Sequence, residues 1–184
     1  PDLDPRSVFF NAIHTHNAPG IAPMRAIGWL KEAPDVLPAA EYRAFLLERL
    51  RDAVVEAWRG REPGGVAGAF GSARVGHCRR AVYADGTAEM YGRTDRADFI
   101  AMEGSEDSGV EMLFTFDGKD LPTGAVLNVA CPSQVMESIC LVSSDFMGET
   151  RRLLKERFGG SFRTLCQIGA AGDQSPRDLT RNYR

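Results

Sequence analysis

From Val110 to Phe116, the apolar residues Val110, Met112, Phe114 and Phe116 alternate with Glu111, Leu113 and Thr115. A period of two puts one set on each side of an extended chain, so this segment reads as a strand with one face on a core. Asp117-Gly118 then turns the chain, and the apolar run Ala125 to Cys131 follows, ending at Pro132. The two segments predict a β-hairpin or a pair of neighbouring strands.

Elsewhere the period changes. Between Ala39 and Arg59 the apolar residues Tyr42, Phe45, Leu46, Leu50, Ala53, Val54, Ala57 and Trp58 follow a 3.6-residue stripe, with Pro38 before it and Gly60 after. That spacing predicts a helix whose aromatic stripe packs into a core. A second helix is expected from Phe146 to Phe158, with Ser143, Ser144 and Asp145 offering capping oxygens and Gly159-Gly160 closing it. Ser7 to Ile13, Gly64 to Val75 (with a bulge) and Thr164 to Ile168 read as further strands, and the polar stretch Arg93 to Ser108 as a surface excursion. The expected class is α/β, a mixed sheet with flanking helices, carrying its site on loops at strand ends.

At 184 residues the chain has room for one domain or part of a larger one, and not for an eight-stranded β/α barrel, which needs about 250 residues. A hydrophobic share of 43% with 26% charged residues is a globular balance. The net charge of −3 argues against nucleic acid as a partner. No apolar run approaches the ~18 residues of a membrane span. The four cysteines, Cys78, Cys131, Cys140 and Cys166, are too far apart for a CxxC metal knuckle. The opening at Pro1, without an initiator Met, reads as an excerpt from a longer polypeptide.

Two of the three histidines form His14-Thr15-His16 directly after an apolar segment. In extended backbone, positions i and i+2 face the same side, so both imidazoles can address one point and could form half of a zinc site. They could equally be loop histidines beside the Asn-Ala-Pro-Gly turn. His77-Cys78 is a poorer metal pair, because adjacent strand residues point to opposite faces. Asp145 is either a helix cap or a group that works on the site. No HExxH or GxSxG motif occurs, and Asn17-Ala18 after His16 does not suit a metallo-β-lactamase-type centre. In Gly172-Asp173-Gln174-Ser175-Pro176, Ser175 could bond a substrate or, with a base, attack it; otherwise the segment is an Asp-rich turn.

Taken together, these segments resemble the neutral/alkaline non-lysosomal ceramidases. His14 to Gly20 is similar to that family's HTHSGPG motif, Gly76 to Arg80 to its Asn-Arg-Ser-Pro region, and Leu127 to Met136 to its asparagine-rich strand with a histidine. Val142 to Gly148 resembles VSSDNxG, and Gly172 to Pro176 resembles GDVSP. The five occur in the family's order over nearly the whole chain, as if residues 1–184 were part of a single N-terminal catalytic domain.

The resemblance implies a zinc-dependent hydrolase of the N-acyl amide bond of sphingolipids, secreted, periplasmic or membrane-associated. It implies His14 as a metal ligand, His16 as a substrate-facing or proton-handling group, Arg79 with Asn17 on the substrate's polar head, and Ser175 with Asp173 in the active-site loop. Further Glu and Tyr ligands are expected beyond residue 184, on the remainder of the polypeptide. Where the family has its second ligand histidine this chain has Cys131, which is either a substituted ligand or a buried cysteine. Asn17-Ala18 replaces Ser-Gly and Arg80-Ala81 replaces Ser-Pro, so the pocket differs from the family's. A degenerate, non-catalytic module binding a lipid or glycan head group is the alternative.

Overall fold

The computed structural model describes residues 2–22 and 36–181. The chain divides into two compact units, Pro1–Phe10 with Ala18–Pro63, and Asn11–Asn17 with Gly64–Arg184.

Among its described residues the first unit carries a 3-10 turn, Pro5–Ser7, whose N-cap Asp4 accepts the Arg6 backbone N–H at 3.0 Å, and helix α1, Ala39–Arg59. The helix occupies the residues its periodicity predicts, but the expectation that its stripe fills a core is not met among the described residues. Tyr42, Leu46, Val54 and Trp58 are half-buried, Phe45 and Leu50 are exposed, and no residue of the helix is buried. Trp58 spends its indole N–H on the Asp2 carboxylate at 2.8 Å, and the Arg61 guanidinium lies 3.8 Å over the ring.

Among its described residues the second unit is built on nine strands, one α-helix and a 3-10 turn at Leu179–Arg181: β1 Gly65–Ser72, β2 His77–Cys78, β3 Arg80–Tyr83, β4 Ala88–Met90, β5 Phe99–Met102, β6 Gly109–Phe116, β7 Pro122–Val129, α2 Asp145–Phe158, β8 Arg163–Ile168 and β9 Gln174–Ser175. Four strands form a sheet in the order β1-β6-β7-β8. The alternating segment and the apolar run are the antiparallel hairpin β6–β7, turned where the Asp117 carboxylate accepts the backbone N–H groups of Lys119 and Leu121. β8 joins β7 in parallel, as a crossover through α2 requires, so the sheet is mixed. β4, β3 and β5 make a three-stranded sheet around the fully buried Ala81 and Tyr83, and β2 pairs with β9.

α2 covers the sheet through an aromatic column. Phe158 stands 6.5 Å from Phe114 and 4.7 Å from Phe162, and buried Met147 and Cys166 pack beneath the helix's first turns. Gly159, at φ 104, ends the helix in a conformation that a side chain would resist. No helix among the described residues is long and apolar enough to cross a membrane.

Three local expectations are corrected. Ser7 to Ile13 forms no strand: it finds no ladder partner, Phe9 and Phe10 are exposed, and the Asn11 side chain instead donates to the Cys166 carbonyl at 3.2 Å. β1 pairs with β6 without a register shift, so the expected bulge is absent there. The excursion Arg93 to Ser108 contains β5, which the sheet recruits despite its charged surroundings.

The parallel pair leaves no room at Gly124, where a Cβ would stand 2.7 Å from the Arg163 carbonyl oxygen on β8. Gly124→Ala should therefore destabilise the protein by about 1–3 kcal/mol, seen as a lower urea midpoint at unchanged m-value.

Candidate functional site

The loops with chemistry leave the carboxyl ends of the parallel strands. β7 runs out into residues 130–144 and β8 into residues 169–173, the edge of a parallel sheet where ligands bind in α/β folds. Two further segments meet them: Asn11–Asn17, and the junction of β2 and β3 that carries Arg79.

The histidine loop is stitched to the segment after β7. Thr15 donates its hydroxyl to the Ser143 carbonyl at 2.6 Å, the Ser143 N–H reaches the Asn17 carbonyl at 2.9 Å, and the buried Asn17 amide donates to the Ile139 carbonyl at 2.6 Å. Asn17 thus points inward as a brace. His14 has a φ of 56°, a left-handed conformation costing roughly 1–2 kcal/mol for a residue with a side chain. The two rings nevertheless come together, with centroids 5.1 Å apart. The convergence expected from an extended backbone is reached by a turned one. Partial burial, together with the nearby His16 ring and the Arg79 guanidinium, lowers the His14 pKa below the ordinary imidazole value, which favours the neutral ring.

His16 belongs to a connected polar cluster. Its Nδ1 lies 3.2 Å from a Glu137 carboxylate oxygen. The Gln134 amide nitrogen lies 3.0 Å from its Nε2 and 3.4 Å from its Nδ1, over the ring between them, and 3.2 Å from Glu137. Glu137 also pairs with Arg177 at 2.7 Å. On the other flank, Arg79 donates to the Gln134 side-chain oxygen at 3.3 Å, to the Tyr91 hydroxyl at 2.7 Å and to the Gly172 carbonyl at 2.8 Å. His14 and His16 are exposed, so the cluster is open to solvent on the imidazole side. Tyr91, with φ 54, and Asp145, with φ 56, share the left-handed backbone of His14. Three of the four non-glycine residues with positive φ among the described residues therefore belong to the site or to its supports, which is where strain tends to be kept.

Sequence reasoning found His14, His16 and Arg79 but not Glu137, Gln134, Tyr91 or Arg177. Glu137 lies one residue past the Leu127 to Met136 stretch and Arg177 one past the Gly172 to Pro176 loop, so reading slightly beyond each would have reached them; Tyr91 carries no sequence signal.

Asp145 is the first residue of α2, where it does more than cap. One carboxylate oxygen accepts the Phe146 N–H at 2.7 Å and the other accepts the Met136 N–H at 2.7 Å, fixing the segment that bears Gln134 and Glu137. Ser175 is 1% exposed, and its hydroxyl accepts the Arg177 N–H at 3.2 Å. Asp173 presents its backbone carbonyl to the Arg79 N–H at 2.8 Å. His77 and Cys78 diverge as expected: His77 faces Asp178 at 4.0 Å, and Cys78 is buried with its thiol toward the Arg80 carbonyl.

Zinc calls for about four converging donors. His14 and His16 supply two imidazoles, but Cys131 does not fit as a third. It is fully buried two residues past the end of β7, with its sulfur 3.4 Å from the Val75 carbonyl and 3.6 Å from that of Pro132. Burial, reinforced by the Asp145 charge, pushes its pKa up to about 12, whereas a ligand must be a thiolate. Among the described residues no group of three or more His, Cys, Asp or Glu side chains could hold a metal ion.

No family model matches the chain, and no curated protein matches it. The solved structure of neutral ceramidase from Pseudomonas aeruginosa superimposes with a TM-score of 0.57 at 16% identity, over 77% of this chain and 22% of that one. A structure described as ceramidase complexed with C2 matches 66% of this chain and 18% of its own, at 19% identity and a TM-score of 0.49. The first shows the fold: this chain has the architecture of a fragment of a ceramidase domain, and spans 22% of that structure's length.

Of the four thiols only Cys140 is exposed, so iodoacetamide at pH 8 should label Cys140 alone in the native protein, with or without a chelator. Labelling of native Cys131 that rises on chelation would return it to the ligand set. Because the folded pKa of Cys131 is raised from an ordinary 9.0, its contribution to stability is intact below pH 9 and is lost as pH rises toward 12. Cys131→Ala should flatten the alkaline limb of a thermal-unfolding profile.

Proposed function

We propose that this chain forms part of a ceramidase-like hydrolase that cleaves an N-acyl amide bond, in a sphingolipid or a related amide. The observation that carries the reading is the His16–Glu137–Gln134–Arg79–Tyr91 cluster, assembled at the strand ends of a fold shared with neutral ceramidase.

The chemistry follows from the groups. Amide cleavage needs a polarised carbonyl, a proton for the leaving amine and a grip on the substrate. The Arg79 fork is held by the Gly172 carbonyl and Tyr91, so it is aimed before any substrate arrives; it supports head-group binding or a developing oxyanion. Glu137 beside Nδ1 can hold the His16 ring and offset the charge that appears when the imidazole takes up a proton. Ser175 acts in this reading as a positioning residue: its buried hydroxyl fixes the Arg177 backbone, and Arg177 in turn holds Glu137. In a ceramidase, zinc would polarise the carbonyl and activate a water. Among the described donors His14 and His16 bring two imidazoles together, and buried Cys131 does not join them.

A second reading is favoured by the burial of both Cys131 and Ser175: a non-catalytic module of the same fold, binding a lipid or glycan head group through Arg79.

A short-chain fluorescent ceramide separates the two. The hydrolase reading expects release of the labelled acid, a kcat lowered about 10²-fold by Glu137→Gln, and a raised KM with smaller loss of kcat in Arg79→Lys. Binding that depends on Arg79 without acid release would transfer the assignment to the module.

A further inference from the structure

Next to the histidine cluster, which it touches through Arg177, a cleft of about 430 Å³ opens between the turn after β1 and the segment after β9, lined by Arg74, His77, Arg177, Asp178 and Arg181. A second cleft of about 230 Å³ adjoins it and shares Arg74, His77, Asp178 and Arg181. Nothing in the proposed hydrolysis uses Arg74, His77 or Arg181.

The three guanidinium groups come from two segments of chain, Arg74 from the turn after β1 and Arg177 and Arg181 from the segment after β9, and each is tied to a carboxylate: Arg74 to Glu106 at 2.6 Å, Arg177 to Glu137 at 2.7 Å and Arg181 to Asp178 at 3.2 Å. Formal charge therefore balances, but its placement does not. The arginine is the more exposed partner in every pair, 56% against 20%, 30% against 21% and 68% against 17%. The carboxylates lie underneath and the cations face solvent. A guanidinium has five N–H donors, of which one carboxylate takes at most two, so each anchor fixes its arginine and leaves donors for a ligand. His77, with Nδ1 4.0 Å from Asp178, adds a further nitrogen to the wall.

We infer that this cleft is a binding site for a phosphate-class oxyanion, either free phosphate or the phosphoryl group of a lipid head. A carboxylate matches a single arginine fork, whereas a tetrahedral oxyanion has enough acceptor oxygens to engage several forks at once. The inference does not rest on the hydrolase reading.

Calorimetric titration of the protein at low salt tests it, with inorganic phosphate in one arm and a short-chain phosphatidate below its micellar concentration in the other. Phosphate should bind, and Arg74→Gln with Arg181→Gln should weaken it about tenfold or more at an unchanged unfolding temperature. The double lysine variant, which keeps charge but loses the forks, should fall between the two. Equal affinity for both ligands identifies a site for the free ion, and tighter phosphatidate binding identifies a head-group site. Absence of binding by the wild-type protein in both arms up to the order of 10 mM, or equal binding by wild type and the glutamine variant, overturns the inference.

Discussion

The site hangs on Arg79. Its backbone N–H meets the Asp173 carbonyl and its guanidinium meets the Gly172 carbonyl, so one residue grips two successive peptide units of the loop after β8. The same side chain reaches Tyr91 and Gln134, which lie on a different sheet and a different loop. Charge-assisted bonds of this kind are stronger than neutral ones, and a planar fork makes them directional. Without that clamp the short β2–β9 ladder would have only two residue pairs to hold it, too few to be stable alone.

Around the clamp, rigid and irregular parts divide the work. The four-stranded sheet and α2 supply fixed ends, through regular registers and the Phe114–Phe158–Phe162 column. The loops supply polar groups but are held mostly by side chains bonding to backbone, as Asn17, Thr15 and Asp145 do. The buried oxygen of Asn17 and the hydroxyl of Ser133 are left without partners among the described residues, so the support is not uniformly satisfied. Left-handed backbone at His14, Tyr91 and Asp145 adds to that internal tension.

Periodicity made much of the fold legible. α1 and the β6–β7 hairpin announce themselves, because their apolar residues repeat at the spacing each geometry demands, although no described residue of α1 is buried. Ser7 to Ile13 misled for the same reason: apolar composition favours a strand, but a strand exists only if an edge is available to pair with it. β2 and β9 were illegible because two residues carry no period at all. In the candidate site, His14, His16 and Arg79 stood out through their motifs, whereas Glu137, Gln134 and Tyr91 are ordinary polar residues that acquire meaning only from partners 12 to 121 positions away: Arg79 for Tyr91, His16 for the other two. Cys131 illustrates the opposite limit. The motif marked its position, but only the fold shows that the residue is fully buried, which pushes the thiol pKa up.

The bond from Arg79 to Gly172 spans 93 residues. On a ribosome adding roughly 5–20 residues per second, Arg79 would wait about 5–20 s for its acceptor to be synthesised. Through that interval the β6–β7 hairpin can already form, being local, while β7 exposes the edge reserved for β8. An unpaired edge is a template for another chain. The same long-range closure that gathers the polar cluster leaves the nascent protein with the β7 edge open to mispairing until β8 emerges.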